Sequence, residues 1–205
     1  MIRSETGSGG AKWILLQPPP LPNLGNMPSV LVPLPSDFEE LEAVAPIDLL
    51  RRAGAEVVIA SLSEQLNVTG RNGIRLIADT TLSAALERNF DCLLPPGGPG
   101  VQHLRANPRV IERVQRQSRD GHWIAAICAA PTVLKDAGLI PGIRFTAHPS
   151  VASELPGLIS DQRVVRDGRI ITSRGAGTAI DFGLEVVSAL YGEAVAQSVS
   201  TSIGA

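Results

Sequence analysis

The sequence predicts an α/β fold in which helices cover both faces of a mostly parallel sheet. Short apolar runs that are typical of buried strands alternate along the chain with segments of helical periodicity. Glycine, proline or asparagine residues stand at several of the junctions. The length of 205 residues, of which 44% are hydrophobic, suits one domain of this class.

The composition excludes several classes of function. The 18 basic residues form no cluster and the net charge is −2, so neither nucleic acid nor an anionic membrane is expected as a partner. No apolar stretch reaches the roughly 18 residues that a spanning helix needs. The two cysteines, Cys92 and Cys128, fit neither a zinc motif nor a disulfide framework, and we therefore expect a reducing, cytoplasmic location.

Residues 1–28 are predicted to form a disordered, proline-rich extension. Their apolar run at 13–16 is too short for a secretory signal, and the prolines at 18–20 favour a polyproline conformation. Met27 directly precedes a good strand, which suggests the hypothesis that natural translation starts there. The intact mass of the native protein tests this hypothesis.

The first strand, Ser29–Leu34, leads into a helix that contains an unexpected carboxylate. Residues 36–39 have the Ser-x-x-Glu form of a capping box, and the helix is predicted to run to about residue 53, with Pro46 kinking or breaking it. Glu42 falls within the apolar arc of this helix. A buried carboxyl is either protonated or paired with a cation, whereas a position at the rim near the helix start would be merely favourable for negative charge.

The remaining elements complete one domain over residues 29–196. Further strands are predicted at 55–62, 74–78, 91–94, 124–127 and 143–147, with a hairpin at 164–171 that turns at Asp167-Gly168. Further helices are predicted at 80–88, from Pro108 to about Gly121, after Cys128 and at 179–190. The chain beyond Gly192 is small and polar, and the C-terminal tail at 197–205 is expected to order only in part.

Cys128 lies where the central strand meets the following helix. The apolar run at 124–127 is too short for a helix, and Pro131 is typical of a first helical turn. The free N–H groups and the partial positive charge of a helix N-terminus favour a thiolate, which would make Cys128 a nucleophile. The alternative is a small buried core residue, which is also the simplest interpretation of Cys92 within its strand.

Two further signals lie at the carboxyl ends of strands, where such sheets form their sites. The loop at 95–100 contains Gly97 and Gly98, whose backbone N–H groups can approach a ligand or an oxyanion, although such loops are usually simple turns. His148 follows a predicted strand and is a candidate acid or base, although a surface histidine is the commoner case. Together with Cys128, three weak signals share one edge of the sheet.

Four short motifs follow one another in a specific order. They are EELE at 39–42, LPPGG at 94–98, AAICAAP at 125–131 and TSRGAGT at 172–178. As a set they resemble the ThiJ/PfpI superfamily, and most closely the branch of Parkinson disease protein 7. The resemblance implies a flavodoxin-like three-layer sandwich and a homodimer.

The resemblance also implies a catalytic group. Cys128 would be the nucleophile, Glu42 a protonated carboxyl beside it, and His148 a general acid or base. Members with peptidase activity carry a histidine immediately after the nucleophile, and the alanine at 129 therefore disfavours a peptidase.

Residues that bind substrate are implied in the same way. The backbone of Gly98 and Ala129, with Gly97 beside them, would hold an oxyanion. Arg52 and Arg71 are similar to arginines that line an anion pocket at the dimer edge in some relatives.

The implied function is the detoxification of methylglyoxal or glyoxal, or the repair of early glycation adducts. The protein would be a glutathione-independent glyoxalase or a deglycase that needs no metal or organic cofactor. Cys128 would add to the aldehyde, Glu42 or His148 would move a proton between adjacent carbons, and the thioester would hydrolyse. A redox sensor or chaperone in which Cys128 is oxidised is the alternative, and His148 favours the enzyme because sensing does not need it.

Overall fold

The computed structural model describes residues 27–205. The disordered extension predicted for residues 1–28 lies, up to residue 26, outside the described residues. Of the helices within the described range, none combines the length and the apolarity that crossing a bilayer requires.

A mixed sheet of seven strands forms the centre of the molecule. In chain order the strands are β1 (Ser29–Leu34), β2 (Glu56–Ser61), β3 (Asn67–Thr69), β4 (Arg75–Ile77), β5 (Thr80–Thr81), β6 (Cys92–Leu93), β7 (Trp123–Ile127), β8 (Val164–Asp167) and β9 (Ile170–Ser173). The order across the central sheet is β5-β2-β1-β6-β7-β9-β8, and only β8 runs antiparallel to its neighbour. β3 and β4 form a separate hairpin.

Helices cover both faces of the sheet, which confirms the predicted three-layer α/β class. They are α1 (Glu40–Arg52), α2 (Leu82–Ala85), α3 (Val101–Arg105), α4 (Pro108–Arg119), α5 (Pro131–Asp136), α6 (Ala179–Tyr191) and α7 (Glu193–Ile203), with 3-10 helices at Pro149–Glu154 and Ala176–Thr178. α1, α6 and α7 pack on one face, and α2 to α5 pack on the other. Val30 and Val32 of β1 point into the first core and Leu31 into the second, as expected for a strand buried on both faces.

The start of α1 differs from the prediction. Its N-cap is Glu39, whose carboxylate accepts a hydrogen bond from the Glu42 N–H at 2.9 Å, so the capping box predicted at Ser36 is wrong. The Asp37 N–H donates to the Thr69 carbonyl at 2.9 Å, and the Glu39 N–H donates to the Gly97 carbonyl at 3.1 Å. These bonds to neighbouring loops delay the helix, which then continues unbroken through Pro46.

The strand predicted at 143–147 is absent from the described sheet. The Arg144 N–H donates to an Asp167 side-chain oxygen at 2.7 Å, and the Thr146 N–H donates to the Thr172 hydroxyl at 2.9 Å. Side-chain oxygens thus accept the hydrogen bonds that backbone carbonyls of a neighbouring strand would accept in a sheet. The segment still leads His148 to the carboxyl edge of the sheet, because the His148 N–H donates to the Cys128 carbonyl.

The C-terminal tail, expected to order only in part, is a helix. α7 packs on α6 through Ala196 and Val199, which are 7% and 5% exposed. Two small apolar residues three positions apart lie on one helix face, and that narrow face is enough to seat the helix. The predicted helix at 80–88 is present only as α2, because β5 occupies its first residues.

Candidate active site

A cavity of about 420 Å³ opens at the carboxyl edge of the sheet, where β1, β6 and β7 lie side by side. The chain leaves β1 and β6 towards opposite sides of the sheet, and such a switch point is where open α/β sheets form their sites. Six of the residues predicted from the sequence line this cavity: Glu42, Arg71, Gly98, Cys128, Ala129 and His148.

Cys128 occupies a strained elbow between β7 and α5. Its φ of 65° lies in the left-handed region, which costs a residue other than glycine about 1 to 3 kcal/mol. The surrounding backbone holds this conformation: the Cys128 N–H donates to the Ser173 carbonyl at 2.8 Å, and the Cys128 carbonyl accepts from the His148 N–H at 2.8 Å. The elbow presents a half-buried thiol to the cavity, whereas Cys92 is fully buried within β6.

Glu42 lies beside this thiol on the first turn of α1 and is only 1% exposed. Burial raises its pKa to about 7. Contacts with the Cys128 thiol and with the Gly97 and Ala176 N–H groups oppose that increase in part. None of them reaches the geometry of a full hydrogen bond to Oε2, which has no partner among the described residues. The carboxyl is therefore poised to change its charge near neutral pH.

The thiol and the carboxyl form one coupled pair. Burial, followed by the negative charge of Glu42, raises the pKa of Cys128 to about 12, while the N–H groups of Gly98 and Ala129 lower it. The helix N-terminus favours a thiolate, but an ionised Glu42 opposes the ionisation of Cys128. Protonation of Glu42 reverses its influence, because the like charge disappears and the carboxyl becomes a donor towards sulfur.

Gly97 lies between these two groups. A Cβ built on Gly97 would overlap the Glu42 carboxyl and would lie 2.6 Å from the Cβ of Cys128. Gly97 is not among the residues that line the cavity. An oxyanion role for Gly97 stays a prediction, and the N–H groups that face the sulfur belong to Gly98 and Ala129.

His148 caps the 3-10 helix Pro149–Glu154 on the opposite side of the thiol. Its Nδ1 accepts the Ser150 N–H at 3.2 Å and lies 2.8 Å from the Ser150 hydroxyl oxygen. An acceptor at Nδ1 means that the neutral ring carries its proton on Nε2. A Cβ at Gly175 would lie 3.3 Å from His148 Cδ2, 3.6 Å from Glu42 Oε1 and 3.8 Å from Cys128 Sγ, so the three groups meet there.

Comparisons with known proteins assign the chain to a family. The DJ-1/PfpI family model matches residues 28–189. The chain belongs to the DJ-1/PfpI family. Protein DJ-1 homolog A of Arabidopsis thaliana is 40% identical over 178 residues, which cover 84% of this chain and 45% of that relative. The chain thus spans less than half of that relative's length.

Two other members of the DJ-1/PfpI family are similar over most of both chains. The glutathione-independent glyoxalase DJR-1.2 of Caenorhabditis elegans is 37% identical over 166 residues, covering 80% of this chain and 88% of that one. The solved structure of oxidized Toxoplasma gondii DJ-1 superposes with a TM-score of 0.82 at 37% identity, covering 85% of this chain and 97% of that one. The family predicted from the four motifs is confirmed.

The two arginines predicted for this DJ-1/PfpI site lie in different places. Arg71 is exposed at the mouth of the cavity, in the turn of the β3–β4 hairpin. Arg52 lies outside the cavity, at the end of α1, and pairs with Asp48 at 2.7 Å between Nε and Oδ2. A single chain therefore does not bring them together, and an anion pocket that joins them stays a prediction for a dimer.

Glu40, which sequence reasoning did not single out, binds the turn of the β3–β4 hairpin that carries Arg71. Glu40 is buried under the hairpin. Its Oε1 accepts the Asn72 backbone N–H at 2.7 Å, and its Oε2 accepts the Asn72 side chain at 2.9 Å. These hydrogen bonds outweigh burial and lower the pKa of Glu40.

Gly175, by contrast, had a sequence signal in the TSRGAGT motif. No three His, Cys, Asp or Glu side chains converge as metal ligands would within residues 27–205.

Proposed function

We propose that this chain is a glutathione-independent glyoxalase that converts methylglyoxal to lactate and glyoxal to glycolate. The observation that supports this most is the pairing of an elbow cysteine with a buried carboxyl whose pKa is raised to about 7. A carboxyl that titrates near the working pH is suited to moving protons. The relative named as a glutathione-independent glyoxalase adds support.

The first step joins Cys128 to the aldehyde. Glu42 takes the thiol proton, Sγ forms a bond to the aldehyde carbon, and the carbonyl oxygen becomes an alkoxide. The N–H groups of Gly98 and Ala129, which face the sulfur, would hold that oxygen until Glu42 gives the proton back to it, so that Glu42 is again a base. The product is a hemithioacetal.

The second step moves one proton from the former aldehyde carbon to the adjacent carbonyl carbon and another from the hemithioacetal hydroxyl to the adjacent carbonyl oxygen. The first carbon is oxidised to a thioester and the second is reduced to an alcohol, so no external oxidant or reductant is needed. Glu42 serves as base and acid, while the neutral His148 directs Nε2–H to the substrate oxygen. Water then attacks the thioester and releases the hydroxyacid and the free thiol.

The test is lactate formation from methylglyoxal without glutathione. Cys92→Ala is the matched control, because it removes the other thiol, which lies in the core. Wild type and Cys92→Ala should form lactate, and Cys128→Ser should form none. Lactate from Cys128→Ser at the wild-type rate, or no lactate from wild type, would contradict the proposal. A deglycase is then tested with glycated adducts from which free methylglyoxal has been removed. Loss of these adducts would show repair rather than removal of free methylglyoxal.

Redox sensing through the same cysteine is the second candidate. The observation that favours it is the contrast between two thiols: Cys128 is accessible from the cavity, whereas burial raises the pKa of Cys92 far above its ordinary range. Mild peroxide should therefore take Cys128 to the sulfenic and then the sulfinic acid and leave Cys92 reduced. Peptide mass spectrometry that finds Cys92 oxidised first would refute this.

A further inference from the structure

We propose that Arg105 is a positioning residue that fixes His148 relative to Cys128 through a cluster of three charged side chains. The cluster consists of Arg105, Asp136 and Glu154. The proposal rests on the proposed glyoxalase function, because it assigns Arg105 a role in that reaction although Arg105 takes no part in the bond changes.

Three short elements leave the active site, and each begins next to a reacting group. α3 follows the Gly98 loop, α5 follows the Cys128 elbow, and the 3-10 helix follows His148. The last residues of these elements are Arg105, Asp136 and Glu154 respectively. One guanidinium therefore joins the far ends of the three elements whose near ends carry the oxyanion donor, the nucleophile and the acid.

The contacts within the cluster are close. Arg105 Nε lies 2.6 Å from Asp136 Oδ2, and Nη2 lies 3.2 Å from Asp136 Oδ1, which makes a bidentate pair. Arg105 Nη1 lies 3.0 Å from Glu154 Oε2. Each nitrogen of the guanidinium thus faces a carboxylate. Arg105 lines the cavity but is not a free cation for an anionic substrate.

Apart from this link, the 3-10 helix is held by Val151, which packs against the core, and by the buried Leu155 that follows its last residue. None of its six residues is buried. His148 itself is exposed, and its ring is oriented by Ser150 of the same helix. Any movement of this helix therefore moves Nε2 with it. Arg105 restrains the helix at the end opposite His148.

The cluster contributes little to the stability of the fold. The side chains are 28% to 43% exposed, and ion pairs of that kind add little to the free energy of unfolding. Loss of the Glu154 contact should therefore leave the protein folded, and its effect should appear in the kinetics.

The experiment compares Glu154→Gln with Glu56→Gln. Glu56 is a matched control, because it pairs with Arg88 at 2.8 Å, has a side chain 37% exposed and begins β2, away from the cavity. We expect Glu154→Gln to lower kcat by about tenfold to a hundredfold, since small displacements of reacting groups have effects of that size. KM should change by less than about twofold, because Gln keeps the size and shape of the Glu154 side chain that lines the cavity. Glu56→Gln should match wild type.

A double-mutant cycle with His148→Ala separates positioning from other roles. If Glu154 acts through His148, Glu154→Gln should cost nothing further in the His148→Ala background. Alkylation of Cys128 by iodoacetamide should be equally fast in all variants. A raised KM with unchanged kcat, or full additivity in the cycle, would overturn the proposal. Arg105→Lys, which keeps the charge but loses the fork, should retain part of the activity.

Nitrogen NMR of the His148 ring tests the cluster without turnover. In wild type the ring should give sharp signals of the Nε2–H tautomer, and in Glu154→Gln the same signals should broaden, because the ring keeps its bond to Ser150 but moves with the loosened helix. Identical spectra would overturn the inference. A wild type that forms no lactate would contradict the proposed function alone, and the NMR comparison would still decide the role of the cluster.

Discussion

At the residue scale, Glu42 is buried, and its Oε2 has no hydrogen-bond partner within residues 27–205. A carboxylate in such a place is unfavourable, and the protein tolerates it by keeping the proton up to about neutral pH. Structure and sequence agree on this residue, because an acidic side chain inside an apolar helix arc is visible in both. Two predictions follow at this scale.

The first concerns stability. The pKa of Glu42 is about 7 in the folded state against an ordinary 4.5, so the folded state binds more protons between these values. Stability therefore falls as the pH rises through this window, by about 3 kcal/mol at most. Glu42→Gln removes this dependence. Urea unfolding at several pH values should show the free energy of unfolding of wild type decreasing relative to that of the variant, and parallel curves would contradict the assignment.

The second concerns His148. His148→Ala should lower the turnover of methylglyoxal by about two orders of magnitude, since a positioned acid contributes about that much. The rate of Cys128 alkylation should hardly change, because burial, Glu42 and the N–H groups of Gly98 and Ala129 set the thiol pKa. Stopped assays for lactate and for iodoacetamide incorporation measure the two rates. Equal loss of both would show that His148 supports the pocket instead.

At the element scale, the turn after β9 offers two glycines with different surroundings. Gly175 has a φ of 156° and faces His148, Glu42 and Cys128, whereas a Cβ on Gly177 would meet nothing within 4 Å. We expect Gly175→Ala to lower lactate formation strongly and to destabilise the fold by about 1 to 3 kcal/mol. Gly177→Ala should leave the activity near that of wild type. Thermal unfolding and turnover of the two variants check this, and equal effects would contradict it.

Elements with a regular pattern could be predicted from the sequence, and elements held by side chains could not. β1 matches its predicted bounds because it is a continuous apolar run, and the Asp167-Gly168 turn identified the β8–β9 hairpin. Segment 143–147 has a strand-like pattern, but its N–H groups bond to side chains. The Glu40 contact with the hairpin joins residues far apart in sequence, which no local pattern reveals.

At the scale of the whole molecule, exposed apolar side chains cluster on α1 and the β3–β4 hairpin. Ile77 is 73% exposed, and Leu41, Val44 and Ile74 are also exposed beyond 40%. Such a patch is typical of an interface, and together with the family it supports the proposal of a homodimer.

The dimer proposal predicts the effect of a surface substitution. Ile77→Lys should convert the protein to a folded monomer, because this side chain is exposed in the single chain and its replacement disturbs no core contact. Sedimentation velocity at micromolar concentration measures the mass of both proteins. A monomeric wild type would refute the homodimer.

The central claim is that Glu42 moves the protons between Cys128 and the two substrate carbons. Glu42→Gln keeps the size and a hydrogen-bond donor but has no exchangeable acid. The decisive measurement is lactate turnover by Glu42→Gln beside wild type, with folding verified by thermal unfolding. The account predicts a decrease of about two to four orders of magnitude, the usual contribution of general acid–base catalysis. Full turnover by Glu42→Gln would contradict it and would leave the proton transfer to His148.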